Sequence, residues 1–364
     1  MFLTNKGIDL RIGGASHGDK ITMLLTGVPK GVRIDQAKLQ RYLDRRKSVP
    51  SDYSTPRREP DLIEFDEGLD NDGIASGGDI AAHIKNTNVK SADYAETAFI
   101  PRPSHADYPA YVKFGGKADA AGGGKFSGRL TAPLVIAGGI AVQLLEELGI
   151  SVGAYIAEIG GIKGESYLDR DITQAEIDAV KANAFPVIND RNADKMLDAI
   201  KKARADCNSL GGIIESAAFG LPTGLGDALF DGLESRAAAI LFGIPAVKGV
   251  EFGSGFGIAR MTAREANDAY FADNGRVFTR TNHNGGILGG MTTGMPVRVR
   301  IAVKPTPSVS QPQQSVDLTK SENTVLTVRG RHDACIVPRA VVAVESALAL
   351  AILDCIYTSP KETL

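Results

Sequence analysis

The most apolar stretch of the chain, Ala340 to Tyr357, carries two acids, Glu345 and Asp354. Two charges within one span are poorly tolerated in lipid, so the stretch reads as a helix buried inside a protein. Thr131 to Leu148 reads as a second long, mostly buried helix, closed by Gly149. Two such helices need cover, and 364 residues are long enough for a substantial core.

The remaining patterns supply that cover. Lys20 to Val28 and Leu62 to Phe65 read as strands. Asp35 can cap a helix whose apolar positions Leu39, Tyr42 and Leu43 follow helical spacing. That helix ends in the basic run Arg45-Arg46-Lys47, with Pro50 as its stop. Thr173-Gln174-Ala175-Glu176 has the capping-box pattern, and Lys195 to Ala205 is amphipathic. Val297, Val299, Ile301 and Val303 alternate with Arg298, Arg300 and Ala302, which predicts a half-buried strand ending at Pro305. Lys304 to Asp317 reads as a loop and Thr324 to Val328 as a strand. Strands come in groups between long helices, without regular βαβ alternation, so the chain is read as α+β. No break in composition divides it, and 1–364 is read as one domain.

The formal net charge of −2 gives no global pull toward nucleic acid or an acidic membrane. Any anion must therefore be held by local basic clusters. Three widely spaced cysteines, Cys207, Cys335 and Cys355, form no disulfide framework and suit a reducing compartment. The N-terminal residues lack the apolar run of a signal peptide, so a soluble, cytoplasmic protein is expected.

Several short motifs fail. Gly14-Ala15-Ser16-His17-Gly18 fits the serine-hydrolase elbow, but it lies too near the N-terminus for the strands that should precede it. Gly253-Ser254-Gly255-Phe256-Gly257 has Ile258 where a dinucleotide fingerprint needs its last small residue. Gly122-Gly123-Gly124-Lys125 lacks the opening glycine of a P-loop. His332 and Cys335 have no second pair of ligands, and no metal is expected.

Taken together, the segments resemble chorismate synthases from near residue 7 to about residue 355. The resemblance rests on Gly14 to Gly18, on Asp44-Arg45-Arg46, on Thr55 to Asp61 and on Arg102-Pro103-Ser104-His105-Ala106-Asp107-Tyr108. Gly122 to Arg129 with Thr131-Ala132, Gly220 to Gly226, Ile244 to Gly253, and Asn282 with Gly285 to Gly290 continue it. Lys304-Pro305-Thr306-Pro307-Ser308 and Gly330-Arg331-His332-Asp333-Ala334-Cys335 complete it, all in the family's order.

The resemblance implies a β-α-β sandwich, with two antiparallel sheets around a core of long helices, assembled as a homotetramer. It implies elimination of phosphate and a ring hydrogen from 5-enolpyruvylshikimate 3-phosphate, in a 1,4 sense. Reduced FMN is required without net redox change. No stretch remains for a flavin reductase domain, so an external reductant is expected, with NADP as the associated nucleotide. The family's roles fall on His17 as the acid for the departing phosphate, His105 beside the flavin N1 and Asp333 near its N5. Flavin positions fall on Lys125, Ser127, Ala246, Gly289, Lys304, Thr306, Ser308 and Arg331. Substrate positions fall on Ser16, Arg46, Arg57 and Arg129.

The residue types suit that chemistry. A substrate with two carboxylates and a phosphate needs clustered cations, and Arg45, Arg46, Lys47, Arg57 and Arg58 can supply them. Histidine titrates in the range that a leaving phosphate needs. Glycine runs permit close backbone approach to a ring or phosphate.

The match departs at Ala15, Ser104, Ala121, Phe126 and Asp52, the last reversing a charge near the anionic site. Two alternatives stand beside this reading, the first resting on those departures and the second on the Gly14 to Gly18 motif. One is a diverged flavin- or anion-binding paralogue that has lost the elimination. The other is a serine hydrolase using Ser16.

Overall fold

The structure, a computed structural model, describes residues 1–4, 7–16, 18–48, 59–87, 99–116, 121–328 and 332–359. Two five-stranded antiparallel sheets face each other across long helices, which is the α+β sandwich expected. The first sheet takes β1 (Phe2–Thr4), β2 (Asp9–Gly14), β3 (Lys20–Leu25), β4 (Glu64–Glu67) and β5 (Ile80–Lys85) in the order β1-β2-β3-β5-β4. Along β3 the alternation places Ile21, Met23 and Leu25 inward, paired with Ile84, Ala82 and Ile80 of β5. One face of this sheet is thereby apolar and lies on the helices.

The second sheet takes β6 (Ser151–Ile159), β7 (Ile162–Lys163), β8 (Gly212–Phe219), β9 (Val247–Phe252) and β14 (Val297–Val303) in the order β7-β6-β8-β14-β9. Here the expectation of a half-buried strand at 297–303 fails, because β14 sits between β8 and β9 and is covered on both faces. Its arginines are the reason a charged face can be buried. Arg298 pairs with Asp171 at 2.6 Å and stacks on Tyr167, and Arg300 binds Glu215 at 2.9 Å. Glu215, fully buried, also accepts from Ser166 and Tyr155 hydroxyls and from the Tyr167 backbone N–H.

Between the sheets run α3 (Thr131–Glu147) and α8 (Val337–Thr358). Counted from the preceding turn at Gly128, α3 is, like α8, long and apolar enough to cross a membrane, and each has 89% of its most apolar window buried inside the protein. The two acids of α8 are fully buried and paired, as a core helix requires. Glu345 takes a two-pronged bond from Arg45, each prong 2.8 Å. Asp354 accepts the backbone N–H groups of Gly7 and Ile8, and pairs with Arg236 at 2.5 Å.

The helices approach closely because Gly138 and Gly139 lack side chains. A Cβ at Gly138 would lie 2.1 Å from Ser346 Cβ on α8. One at Gly139 would lie 2.5 Å from Leu39 on α1 (Gln36–Asp44). The cap of α1 is Asp35, whose carboxylate accepts from the Lys38 N–H at 2.8 Å, as predicted. The helix stops at Asp44, so Arg45, Arg46 and Lys47 form the turn that follows it.

Around this core lie α2 (Asp107–Lys113), α4 (Gln174–Val180), α5 (Ala193–Ala205), α6 (Leu233–Gly243) and the short α7 (Ala263–Ala266). The capping box at Thr173 and Glu176 opens α4 as predicted. Three hairpins complete the chain: β10–β11 (Tyr270–Asp273, Arg276–Thr279), β12–β13 (Ile287–Leu288, Met291–Thr292) and β15–β16 (Gln313–Asp317, Glu322–Leu326). The expected loop to Asp317 therefore ends in a strand. Gln313 to Asp317 lacks apolar alternation but pairs with β16 in full register. The strand read over 20–28 is shorter, closing at Leu25.

Replacing Gly138 with alanine would favour an isolated helix by about 1 kcal/mol. Here Gly138→Ala is expected to destabilise by about 1–3 kcal/mol through overpacking against Ser346, read as a lower unfolding midpoint in denaturant. A raised midpoint would contradict the close α3–α8 contact.

Candidate active site

Consecutive arginines after α1 point to different places. Arg45 is committed to Glu345 in the core, which removes it from the cations expected to meet a ligand. Lys47 is likewise taken by Asp44 at 2.6 Å, near the surface. Arg46 turns the other way and is almost wholly buried, donating to Asp61 Oδ2 at 2.7 Å. The other oxygen of Asp61 accepts from Arg129 NH1. Burial raises the Asp61 carboxyl, but Arg46 and Arg129 outweigh it, so its titration is lowered overall and it stays ionised.

A third arginine joins them. Arg339 donates through Nε to the Arg46 carbonyl at 3.1 Å and pairs with Asp333 at 2.6 Å. Burial, with repulsion from Arg339 and Arg129, lowers the Arg46 guanidinium to about 10 despite Asp61. Arg46 Nε and Arg129 NH2 are buried N–H donors with no hydrogen-bond partner among the described residues. Unpaired donors cost free energy when buried. An anionic group between them would remove that cost.

Arg129 also anchors the N-terminal glycine-rich turn. Its Nε donates to Asn86 Oδ1 at 3.0 Å, and Asn86 Nδ2 donates to the carbonyls of Ala15 (3.2 Å) and Gly18 (2.6 Å). Within that turn Ser16 is fully buried, its N–H donating to the Gly124 carbonyl at 3.4 Å. An elbow nucleophile must be exposed, so the burial of Ser16 argues against the hydrolase reading. His17, Asp52, Arg57, Arg58 and Arg331 lie outside the described residues.

Gly124 belongs to a 3₁₀ turn, Ala121–Phe126, that also meets His105. A Cβ at Gly123, whose φ is +97°, would lie 3.2 Å from His105 Nε2. The other ring nitrogen, Nδ1, is 2.6 Å from Asp107 Oδ1. Asp107 is held in turn by Arg102, through Nε at 2.7 Å and NH2 at 2.8 Å. Arg102 NH1 reaches Ser308 Oγ at 3.2 Å. Ser104 adopts a left-handed φ of +59° and its carbonyl accepts from Lys304 Nζ at 2.8 Å. The Lys304 N–H donates to the carbonyl of Ala246, which is also left-handed at φ +75°.

Two groups of expected residues therefore meet at one glycine turn. Ser16, Arg46, Arg129 and Asp333 are linked on one side of it, and His105, Ala246, Lys304 and Ser308 on the other. Ser127 sits at its end, its N–H donating to the Gly124 carbonyl. Thr306 lies between Lys304 and Ser308 with its Oγ1 buried and without a hydrogen-bond partner among the described residues. Of the other expected residues, Lys125 lies within the turn and Gly289 stands apart. Lys125 Nζ lies over the Phe114 ring at 3.8 Å, near the exposed Phe126. Gly289 is at the exposed tip of the β12–β13 hairpin.

Asn86 and Arg339 had no signal in the sequence, since Asn86 sits in an ordinary polar run and Arg339 is a lone charge at the start of an apolar segment. Asp61 and Asp107 lay within quoted motifs, but only the fold shows what each carboxylate grips.

A model of the family described as chorismate synthase matches residues 8–357. A chorismate synthase from Korarchaeum cryptofilum is 44% identical over 349 residues, covering 96% of this chain and 95% of its own. One from Thermococcus kodakarensis is 42% identical over 353 residues, covering 97% and 96%. A solved structure described as a chorismate synthase superposes with a TM-score of 0.75 at 25% identity, covering 97% of this chain and 92% of its own.

Inorganic phosphate is expected to stabilise the protein by binding beside Arg46 and Arg129, by about 2.7 kcal/mol at a hundred times its dissociation constant. Thermal unfolding in phosphate and in chloride of equal ionic strength would read it, and Arg46→Gln should lose the increment. Equal midpoints in both salts would contradict the anion site.

Proposed function

This chain belongs to the chorismate synthase family, a family of flavin-dependent lyases in aromatic amino-acid biosynthesis, and on that premise we propose the roles of its site. The substrate is 5-enolpyruvylshikimate 3-phosphate, and anti-1,4-elimination of phosphate and the C6 hydrogen gives chorismate. The observation that carries this assignment is the pair of buried, unpartnered donors, Arg46 Nε and Arg129 NH2, beside the Ser16 turn. They offer an acidic substrate charge-assisted hydrogen bonds that Asp61 alone does not use up.

Arg46 and Arg129, with Arg57 and Ser16, bind and orient the substrate. His17 gives the departing phosphate its proton, and Asn86 holds the backbone on both sides of it, at Ala15 and Gly18. Asp333, held by Arg339 in the same cluster, helps the flavin take the departing hydrogen. Burial of this cluster excludes water, which strengthens each charge interaction.

The described residues fit reduced FMN as the flavin. Gly123 has no side chain to press on His105 Nε2, Thr306 Oγ1 is a buried hydroxyl without a hydrogen-bond partner among the described residues, and Lys304 carries a charge disfavoured by burial and by Lys248. Lys304, Thr306, Ser308, Ser127, Lys125, Ala246 and Arg331 would hold it, while Gly289, at the hairpin tip, stands apart from them. What the flavin supplies when bound is a transient electron and a place for the departing hydrogen, without net redox change. His105 supplies a proton through Nε2.

Residues 1–364 act as one domain, since one apolar cluster runs through both sheets and the helices between them. The protein works as a homotetramer in the cytoplasm, with an external flavin reductant. The exposed Leu229, Phe230, Leu288 and Met291 near Gly289 supply an apolar surface suited to another copy.

Anaerobic incubation with 5-enolpyruvylshikimate 3-phosphate and chemically reduced FMN is expected to release chorismate and phosphate in equal amounts, and neither with oxidised FMN. No product, despite flavin binding and an active control enzyme, would overturn the reading in favour of a diverged paralogue.

A further inference from the structure

His105 is the one described histidine at the glycine turn, and its two nitrogens have different surroundings. Nδ1 is 2.6 Å from Asp107 Oδ1, while Nε2 faces the backbone of Gly123 and has no hydrogen-bond partner among the described residues. Arg102 NH2 also lies 3.2 Å from Nδ1. A single ring nitrogen cannot both donate to the carboxylate and accept from the guanidinium. The shorter, charge-assisted contact with Asp107 decides the matter, so Nδ1 carries a proton and Arg102 serves the carboxylate.

Asp107 is well placed for a fixed task. Burial raises its titration, but hydrogen bonds from Arg102 and His105 lower it well below the usual carboxylate range. It therefore remains an acceptor and does not take the histidine's proton. The Arg102 backbone N–H adds a further bond to Oδ2 at 3.0 Å. The carboxylate is gripped from three directions before it meets the ring.

Resting on the functional reading above, we propose that Asp107 is a positioning residue that locks the Nδ1 proton of His105, so that Nε2 alone exchanges a proton with the bound ligand. When His105 is cationic, the Nε2–H bond breaks as its proton passes to the ligand, and the ring's electron pair stays on Nε2. The neutral ring keeps its Nδ1 proton, donated in the hydrogen bond to Asp107, and regains the other through Nε2. No proton reaches Asp107 at any stage. Arg102 extends the same framework to Ser308, so the ring and the 304–308 segment are held by one guanidinium.

The test reads the ring itself. Nitrogen NMR of ¹⁵N-histidine-labelled protein, with His105 assigned through His105→Gln, should show the neutral ring protonated at Nδ1. Asp107→Asn keeps the size of the side chain and can donate as well as accept, so the neutral ring should become a mixture of both tautomers. Turnover with reduced flavin should fall in kcat by roughly 10²-fold, the scale of a misdirected general acid, with substrate KM changed by less than about threefold because ground-state binding is untouched. A wild-type ring protonated at Nε2, or an Asp107→Asn enzyme with wild-type kcat, would overturn the proposal. A wild-type protein that makes no chorismate would instead overturn the functional reading, and the tautomer measured without ligand would then decide the role of Asp107.

Discussion

The two-pronged bond between Arg45 and Glu345 ties the turn after α1 to the central helix, and the site is built on that attachment. Glu345 is fully buried, and Arg45 is its partner. Breaking such a pair from one side costs about 3–5 kcal/mol, because a charge is left buried alone. The next residue, Arg46, leaves the chain in another direction and enters the anion cluster. Core and site are therefore adjacent in sequence, and the position of Arg46 is set by a pair that takes no part in chemistry. Asp354 does the equivalent at the other end of α8, binding the start of β2's approach and Arg236 of α6.

The site is a region of incomplete charge balance by design of its neighbours. Arg46, Arg129 and Arg339 face Asp61 and Asp333, so the described side chains carry an excess of one positive charge. Proteins seldom bury that excess without a ligand to meet it. The glycine turn at 121–126 then brings this cluster against His105, whose own orientation is fixed by Asp107. The His105 contact depends on a residue without a side chain, since a Cβ on Gly123 would press on the imidazole.

Much of this architecture was legible in the sequence. The acids within the apolar stretch at 340–357 identify a core helix because an enclosed charge must have a partner. The cap at Asp35 and the capping box at Thr173 mark helix starts by local chemistry alone. What was not legible depends on pairing across long separations. The arginines of β14 read as a solvent face, yet Asp171 and Glu215, far earlier in the chain, make the burial of Arg298 and Arg300 tolerable. Arg45 and Arg46 have the same side chain in adjacent positions, and only the location of Glu345 and Asp61 distinguishes a structural cation from a ligand-binding one. Asn86 lay beyond any motif, because its value is to satisfy two backbone carbonyls and one guanidinium at once.

The central claim is that the unpartnered donors of Arg46 and Arg129 are there for an acidic substrate. A crystal structure of the protein with 5-enolpyruvylshikimate 3-phosphate and oxidised FMN tests it most directly. The account predicts a phosphate or carboxylate oxygen within hydrogen-bond distance of Arg46 Nε or Arg129 NH2, with the Arg45–Glu345 pair unchanged. A substrate bound elsewhere, with both donors still unpaired, would contradict it.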